Sequence, residues 1–209
     1  MVITSPSDYQ QLDGEQEWRN VKASLSELVP RGRVEVVRLA QPTLSALQRQ
    51  LRQDTYHVFH FVGHGAFSAD TDGGVLAMED GHGRARVVGG EELGTLLHDH
   101  RSLRLAVLNS CEGARGDRAD PFSGTAQSLL QQGIPAVVAM QFEITDDAAI
   151  TFGRGLYEAI ADGYPLDAAT AEARKAVYFE GNLTEWGTPV LYSRAPDGRI
   201  FDIQDRQEE

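Results

Sequence analysis

The sequence predicts an α/β fold in three layers, with a mostly parallel central sheet and helices on both faces. Apolar runs rich in β-branched and aromatic residues occur at 56–62, 103–109 and 135–142, as in strands that are buried on both faces. Segments with apolar residues three to four positions apart separate these runs and predict amphipathic helices. Strands that alternate with helices in this order are typical of parallel sheets.

The elements before and after the first core strand follow from local signals. A short strand, a helix, a strand and a second helix are predicted over 2–4, 14–29, 33–39 and 43–53. Thr43 directly precedes the apolar positions of the second helix, which makes it the expected N-cap. A loop rich in Gly and Asp is predicted over 63–74, and a hairpin over 74–88 that turns at Asp80 and Gly81.

The second half of the chain continues the alternation. Helices are predicted over 90–99, 122–133, 145–163 and 165–179, a strand over 188–193, and a turn with an edge strand over 197–201. A loop rich in glycine and charge spans 110–121. We expect one domain over 1–209, with its core at about 30–201 and a disordered tail over 202–209.

Composition excludes several classes of function. Nineteen basic against thirty-one acidic residues give a net charge of -12, which argues against nucleic acid because phosphate binding needs a basic face. No apolar run is long enough for a membrane span, and the first residues do not form a secretory signal. The one cysteine, Cys111, excludes an intrachain disulfide and a cysteine metal cage. A lone thiol is typical of the reducing cytoplasm.

Two reactive side chains follow core strands. His64 lies between two glycines after the strand at 56–62, and Cys111 follows the strand at 103–109. The carboxyl ends of parallel strands form one edge of a sheet, so we expect the two side chains to meet there. A thiolate beside a histidine is an activated nucleophile. The backbone N–H groups of Gly65 and Cys111 are the predicted donors to an oxyanion.

These stretches resemble the CHAT domain, a bacterial branch of the caspase-like (clan CD) cysteine peptidases. The resemblance covers about residues 30–201 and rests on HFVGHG, VLNSCEG, DPFSGTAQSLLQQGIPAVVAMQFEITDDAA and EWGTPVLYSR. The 47 residues from His64 to Cys111 are also close to the spacing of roughly 50 in caspases. The resemblance implies a caspase-like fold, a His64–Cys111 dyad and peptide-bond hydrolysis. It further implies control by a fused module or an activating partner protein, in a regulated or defence-related bacterial system.

The resemblance also indicates where substrate specificity resides. In caspase-like enzymes the residue two before the cysteine lines the pocket for the side chain that precedes the scissile bond, and here it is Asn109. Glu143 and Asp146 are acidic candidates for the same pocket, which predicts a preference for a basic substrate residue. Asp146 has an alternative interpretation, since acidic residues also stabilise the first turn of a helix.

Other functions receive less support from the sequence. His57, His60 and His64 invite a metal site, but a strand turns the first two to opposite faces. The glycine-rich loops contain no phosphate-binding motif, so no cofactor is predicted. Two alternatives to a peptidase stay open: a protease-like interaction module without catalysis, and another thiol acyl-transfer enzyme. Because the loops at 63–74 and 113–121 are rich in Gly and Asp, we expect weak activity until a partner or a cut orders them.

Overall fold

The computed structural model describes residues 1–68, 73–110, 122–142 and 144–203. These residues contain eight strands and six α-helices. The strands are β1 (Val2–Ile3), β2 (Val58–Gly63), β3 (Gly65–Ser68), β4 (Gly73–Glu79), β5 (Ala85–Gly89), β6 (Leu105–Ser110), β7 (Ala136–Met140) and β8 (Pro189–Ser193). The helices are α1 (Gly14–Ser24), α2 (Leu44–Gln53), α3 (Gly90–Leu97), α4 (Ser123–Gln131), α5 (Asp146–Ala161) and α6 (Leu166–Phe179), with a 3-10 turn at Glu185–Gly187.

The strands form two sheets. The central sheet has the order β1-β2-β6-β7-β8; its first four strands are parallel, and β8 is antiparallel to β7. The smaller sheet, β3-β4-β5, is antiparallel throughout. Helices cover both faces of the central sheet, so the predicted α/β class and the mostly parallel sheet are confirmed.

Each face of the central sheet has its own apolar core. Phe59 and Phe61 of β2 pack with α2, α3, α4 and the small sheet. Leu105 and Val107 of β6 pack with α1, α5 and α6 on the opposite face. Side chains alternate along a strand, so His60 of β2 faces the α1–α5 side, where it meets residues of both helices. No helix in the described ranges is both long and apolar enough to cross a bilayer.

Local signals account for several element boundaries. The Thr43 hydroxyl accepts a hydrogen bond from the Ala46 N–H at 3.2 Å, which confirms it as the N-cap of α2. The Asp13 carboxylate accepts from the Gln16 N–H at 2.9 Å at the start of α1. Gly133 has a φ of 106°, a left-handed conformation that suits glycine, where the chain leaves α4.

Two predicted strands are wrong. The segment 33–39 is not a strand. Its backbone meets the chain terminus at Met1, the residue before β1: the Leu39 N–H donates to the Met1 carbonyl at 2.9 Å, and the Val37 carbonyl accepts from the Met1 amine. The segment 197–201 is a turn without an edge strand. Its Gly198 carbonyl accepts from the Leu166 N–H at 2.8 Å and so satisfies the first turn of α6 instead of pairing with β8.

Two further boundaries differ from the prediction. The helix expected over 14–29 ends at Ser24 and continues as turns. The loop expected over 63–74 contains β3 and the start of β4. Both are rich in glycine, which is rare in strands, so the sequence shows no sign that they pair. The predicted loop at 113–121 and the last residues of the tail, 204–209, lie outside the described residues.

Candidate active site

The carboxyl ends of β2 and β6 lie level with each other. In the parallel ladder Val62 is opposite Asn109, and Gly63 is opposite Ser110. His64 is the residue that follows β2. The residue after β6 in the sequence is Cys111, which lies outside the described residues, as does the pocket candidate Glu143.

The His64 side chain is almost completely buried, with 1% of its surface exposed. Its Nε2 is 2.7 Å from the carbonyl oxygen of Gln10. A carbonyl can only accept, so Nε2 carries the proton, and Nδ1 of the neutral ring is an acceptor. Nδ1 is buried and has no hydrogen-bond partner among the described residues. The Tyr9 ring packs against the imidazole, with a centroid distance of 5.3 Å.

The segment that holds the Gln10 carbonyl is fixed by its own side chains. The Gln11 amide donates to the Pro6 carbonyl at 2.7 Å, and the Leu12 N–H donates to the Ser5 hydroxyl at 2.8 Å. The sequence pattern gives this segment no role, because every residue has a carbonyl and no side-chain signal marks the one that is used. Reasoning from the sequence therefore missed the Gln10 carbonyl as the hydrogen-bond acceptor of His64.

The glycines on either side of His64 have packing roles. A Cβ on Gly63 would overlap the Thr4 hydroxyl, and one on Gly65 would come within 3.0 Å of three ring carbons of Phe122. The Ala77 N–H donates to the His64 carbonyl at 3.0 Å. By the alternation of an antiparallel ladder, the N–H of Gly65 then points away from β4.

His60 lies on the α1–α5 side of the sheet in a hydrogen-bonded position. Its Nδ1 is 2.7 Å from the Tyr157 hydroxyl of α5. Burial lowers the pKa of His60 to about 3, and it raises the pKa of the Tyr157 phenol above its usual range. Both groups are therefore neutral at physiological pH. No group of three or more His, Cys, Asp or Glu side chains within the described ranges could hold a metal ion.

A cavity of about 20 Å³ lies under Asn109, between the sheet and the helices α1 and α5. Asn109 is 7% exposed, and its Oδ1 has no hydrogen-bond partner among the described residues. Asp146 is the first residue of α5 and is exposed. Of the two candidates, only Asn109 lines the cavity. Asp146 does not line it but contacts the carboxyl group of Glu17, which does.

Glu17 of α1 lines the same cavity and was missed from the sequence. It is 6% exposed. Burial, the charge of Asp146, a hydrogen bond with the Asp146 side chain and the charge of Asp13 together raise the pKa of Glu17 to about 7. The available signal was positional: Glu17 is four residues before Val21, on the buried stripe of an amphipathic helix.

Replacing Glu17 with glutamine is expected to change how stability depends on pH. The folded pKa of about 7 lies above the ordinary 4.5, so between these values the folded protein holds a proton that the unfolded chain releases. The stability of the wild type therefore falls as pH rises through this interval, whereas Glu17→Gln has no such proton. Urea unfolding at about pH 5 and about pH 7.5 measures the difference. The exposed Glu15→Gln serves as control, and a pH-independent gap between Glu17→Gln and wild type would contradict the expectation.

A comparison with protein families now adds to this geometry. The family model of the CHAT domain matches residues 4–192. The chain belongs to the CHAT-domain family. CHAT domains are part of the caspase-like clan, which confirms the resemblance seen in the sequence. The match begins well before residue 30 and so includes the segment that holds His64. No curated protein matches the chain.

Proposed function

We propose that this CHAT domain is a cysteine endopeptidase that hydrolyses peptide bonds in protein substrates through His64 and Cys111. The observation that carries the proposal is the state of His64. Its Nε2 is held by a main-chain carbonyl, and its Nδ1, just past the end of β2, has no hydrogen-bond partner in the described part of the chain. The neighbouring strand ends level with it, at the residue that precedes Cys111. Thiol catalysis requires a fixed base near the thiol, and the one cysteine of the chain follows directly on the strand that ends next to His64.

The reaction follows from these groups. The Cys111 thiol gives its proton to Nδ1, and the thiolate sulfur forms a bond to the carbonyl carbon of the substrate. The resulting imidazolium keeps its Nε2–H bond to the Gln10 carbonyl, and it passes the Nδ1 proton to the departing amine as the C–N bond breaks. A water molecule, deprotonated by the same nitrogen, then attacks the thioester and releases the acid and the free thiol.

The oxyanion of each tetrahedral intermediate needs fixed donors. We assign this role to the backbone N–H groups of Gly65 and Cys111. The direction of the Gly65 N–H, away from β4, supports the assignment because the ladder does not use that donor. Loss of one such donor typically costs about 10²–10³ in rate.

Incubation of the full chain with a proteome-derived peptide library tests the proposal. We expect new peptide termini with the wild type and none with Cys111→Ala, or with wild type whose thiol has been alkylated by iodoacetamide. Cleavage that survives in Cys111→Ala would remove the thiol from the mechanism. Binding without cleavage by the wild type would favour a protease-like interaction module, and ligation products would favour another thiol acyl transfer.

We also propose that a fused module or a partner protein controls this activity. The same experiment is therefore run in the presence of a whole-cell lysate, which supplies candidate partners. Activity that appears only with the lysate and is absent with Cys111→Ala would support this form of control.

A further inference from the structure

The residues between β1 and α1 lie against the turn end of the β4–β5 hairpin. We call residues 5–12 the strap. Hydrogen bonds join the strap to the hairpin: from the Ser5 N–H to the Glu79 carboxylate at 3.0 Å, from the Ser7 N–H to the Gly83 carbonyl at 2.8 Å, and from the Ala85 N–H to the Asp8 carboxylate at 2.7 Å. The course of the strap is therefore set by the hairpin as well as by its own side chains.

The same hairpin holds the main chain of His64. The Ala77 N–H of β4 donates to the His64 carbonyl at 3.0 Å, and the Ala77 carbonyl accepts from the Thr4 hydroxyl at 2.8 Å. The imidazole is bound to the strap, through the 2.7 Å contact between Nε2 and the Gln10 carbonyl. The main chain of His64 is thus attached to the hairpin directly, and its ring is attached to the hairpin through the strap.

Asp8 makes the side-chain contact to the hairpin that is nearest to Gln10, two residues before it. β5 is the edge strand in the order β3-β4-β5, and its residue Ala85 is opposite Glu79. The Ala85 N–H points away from β4, because it donates to Asp8. Asp8 therefore binds a main-chain donor at the edge of the small sheet. Its charge makes this bond stronger than one to a neutral acceptor.

We propose that the bond between Asp8 and the edge of β5 positions the His64 imidazole, so that the β4–β5 hairpin regulates the proposed active site. The inference rests on the proposed function and adds a positioning residue and the element that controls it. Asp8 fixes the strap two residues before the Gln10 carbonyl, and that carbonyl holds Nε2. When the Asp8 bond is broken, the carbonyl moves more freely and Nδ1, the proposed base, loses its fixed position.

Small movements are sufficient for this effect. A hydrogen bond from Nε2 to a carbonyl needs a separation of roughly 2.7–3.2 Å, and a catalytic group misplaced by about 1 Å can lose a large part of its activity. The turn between β4 and β5 carries the exposed residues Gly81, His82 and Arg84. A ligand that moves this turn therefore changes the orientation of His64 without contact to the histidine itself.

Asp8→Ala tests the inference in the full chain, with NMR of the histidine rings. The wild-type Nε2 proton of His64 should exchange slowly with solvent, because the ring is buried and the proton is hydrogen-bonded. We expect exchange about 3- to 10-fold faster in Asp8→Ala, the factor that corresponds to one hydrogen bond. Asp8→Asn keeps an acceptor oxygen and should restore most of the protection. Unchanged exchange in Asp8→Ala would overturn the inference.

Asp54→Ala is the matched control. Its exposed carboxylate also accepts from a main-chain N–H at 2.7 Å, but the donor is the next residue, Thr55, so the bond joins no separate parts of the chain. This variant should keep the wild-type exchange rate. The melting temperatures of all variants identify any that are partly unfolded.

Ala85→Pro removes the same hydrogen bond from the other side. Proline is tolerated in an edge strand where the lost N–H does not belong to the ladder, as here. The exchange rates of Asp8→Ala, Ala85→Pro and the double variant form a cycle. We expect the double variant to match the stronger single variant, because both changes remove one bond. Fully additive effects would contradict the proposed role of this bond.

Cleavage kinetics separate this inference from the proposed function. Asp8→Ala should lower kcat for peptide pools about 3- to 10-fold with little change in KM, because Asp8 orients the base and leaves substrate binding intact. Faster exchange in Asp8→Ala without any cleavage by wild type would sink only the peptidase. Cleavage by wild type with equal exchange in wild type and Asp8→Ala would sink only the role of Asp8.

Discussion

Replacing His64 with alanine is expected to lower kcat/KM for peptide cleavage by about 10²–10⁴. The variant loses the group that takes the thiol proton and returns it to the leaving amine. The Gln10 carbonyl also loses its donor. The rate at which iodoacetamide alkylates Cys111 at neutral pH should fall in parallel, because less of the thiol is ionised.

His82→Ala is the matched control for this experiment. His82 is exposed in the turn between β4 and β5, and it should be replaceable without loss of activity. The melting temperature of each variant separates a catalytic defect from unfolding. Full activity in a folded His64→Ala protein would contradict the dyad, and unchanged alkylation would show that His64 does not activate the thiol.

Replacing Gly65 with alanine is expected to cost about 1–3 kcal/mol in the free energy of unfolding. The new Cβ would come within 3.0 Å of three ring carbons of Phe122. That ring is completely buried and meets Phe61 edge-on at a centroid distance of 6.2 Å, so it cannot move aside freely. Urea unfolding measures the change.

Gly81→Ala is the control for Gly65→Ala. A Cβ on Gly81 would have no heavy atom within 4 Å, so we expect a change of less than about 0.5 kcal/mol. Adding Phe122→Leu to Gly65→Ala should restore part of the lost stability by removing the ring atoms that clash. A Gly65→Ala protein as stable as wild type would show that the Phe122 ring relocates at little cost.

The fold was predictable because its core strands are marked locally. Phe59, Phe61 and Val107 belong to apolar runs that only a strand buried on both faces explains. Pairing was less predictable: the segment 33–39 has the residues of a strand, but whether it pairs depends on the neighbours it meets. β3 was missed for the opposite reason: its partner β4 follows it directly in the chain, but its glycine-rich context gives little strand signal.

The site was predictable in part. His64 could be located because a titratable residue at the end of a core strand has a defined place on the sheet. The acceptor of its Nε2 hydrogen bond could not be predicted, because the Gln10 carbonyl belongs to the main chain and every residue has one. Glu17 was predictable only in part: its position four residues before Val21 places it on the buried stripe of α1, but the contact with Asp146 of α5, which adds to burial in raising its pKa, has no signal in the sequence.

The main-chain bond to His64 also bears on how this protein can evolve. The carbonyl at position 10 is supplied by the peptide unit, and any residue that keeps the loop in place supplies it equally well. Selection on the orientation of the histidine therefore acts on the course of the chain around it, including the Gln11 and Ser5 contacts. The side chain at position 10 can therefore change without loss of this hydrogen bond.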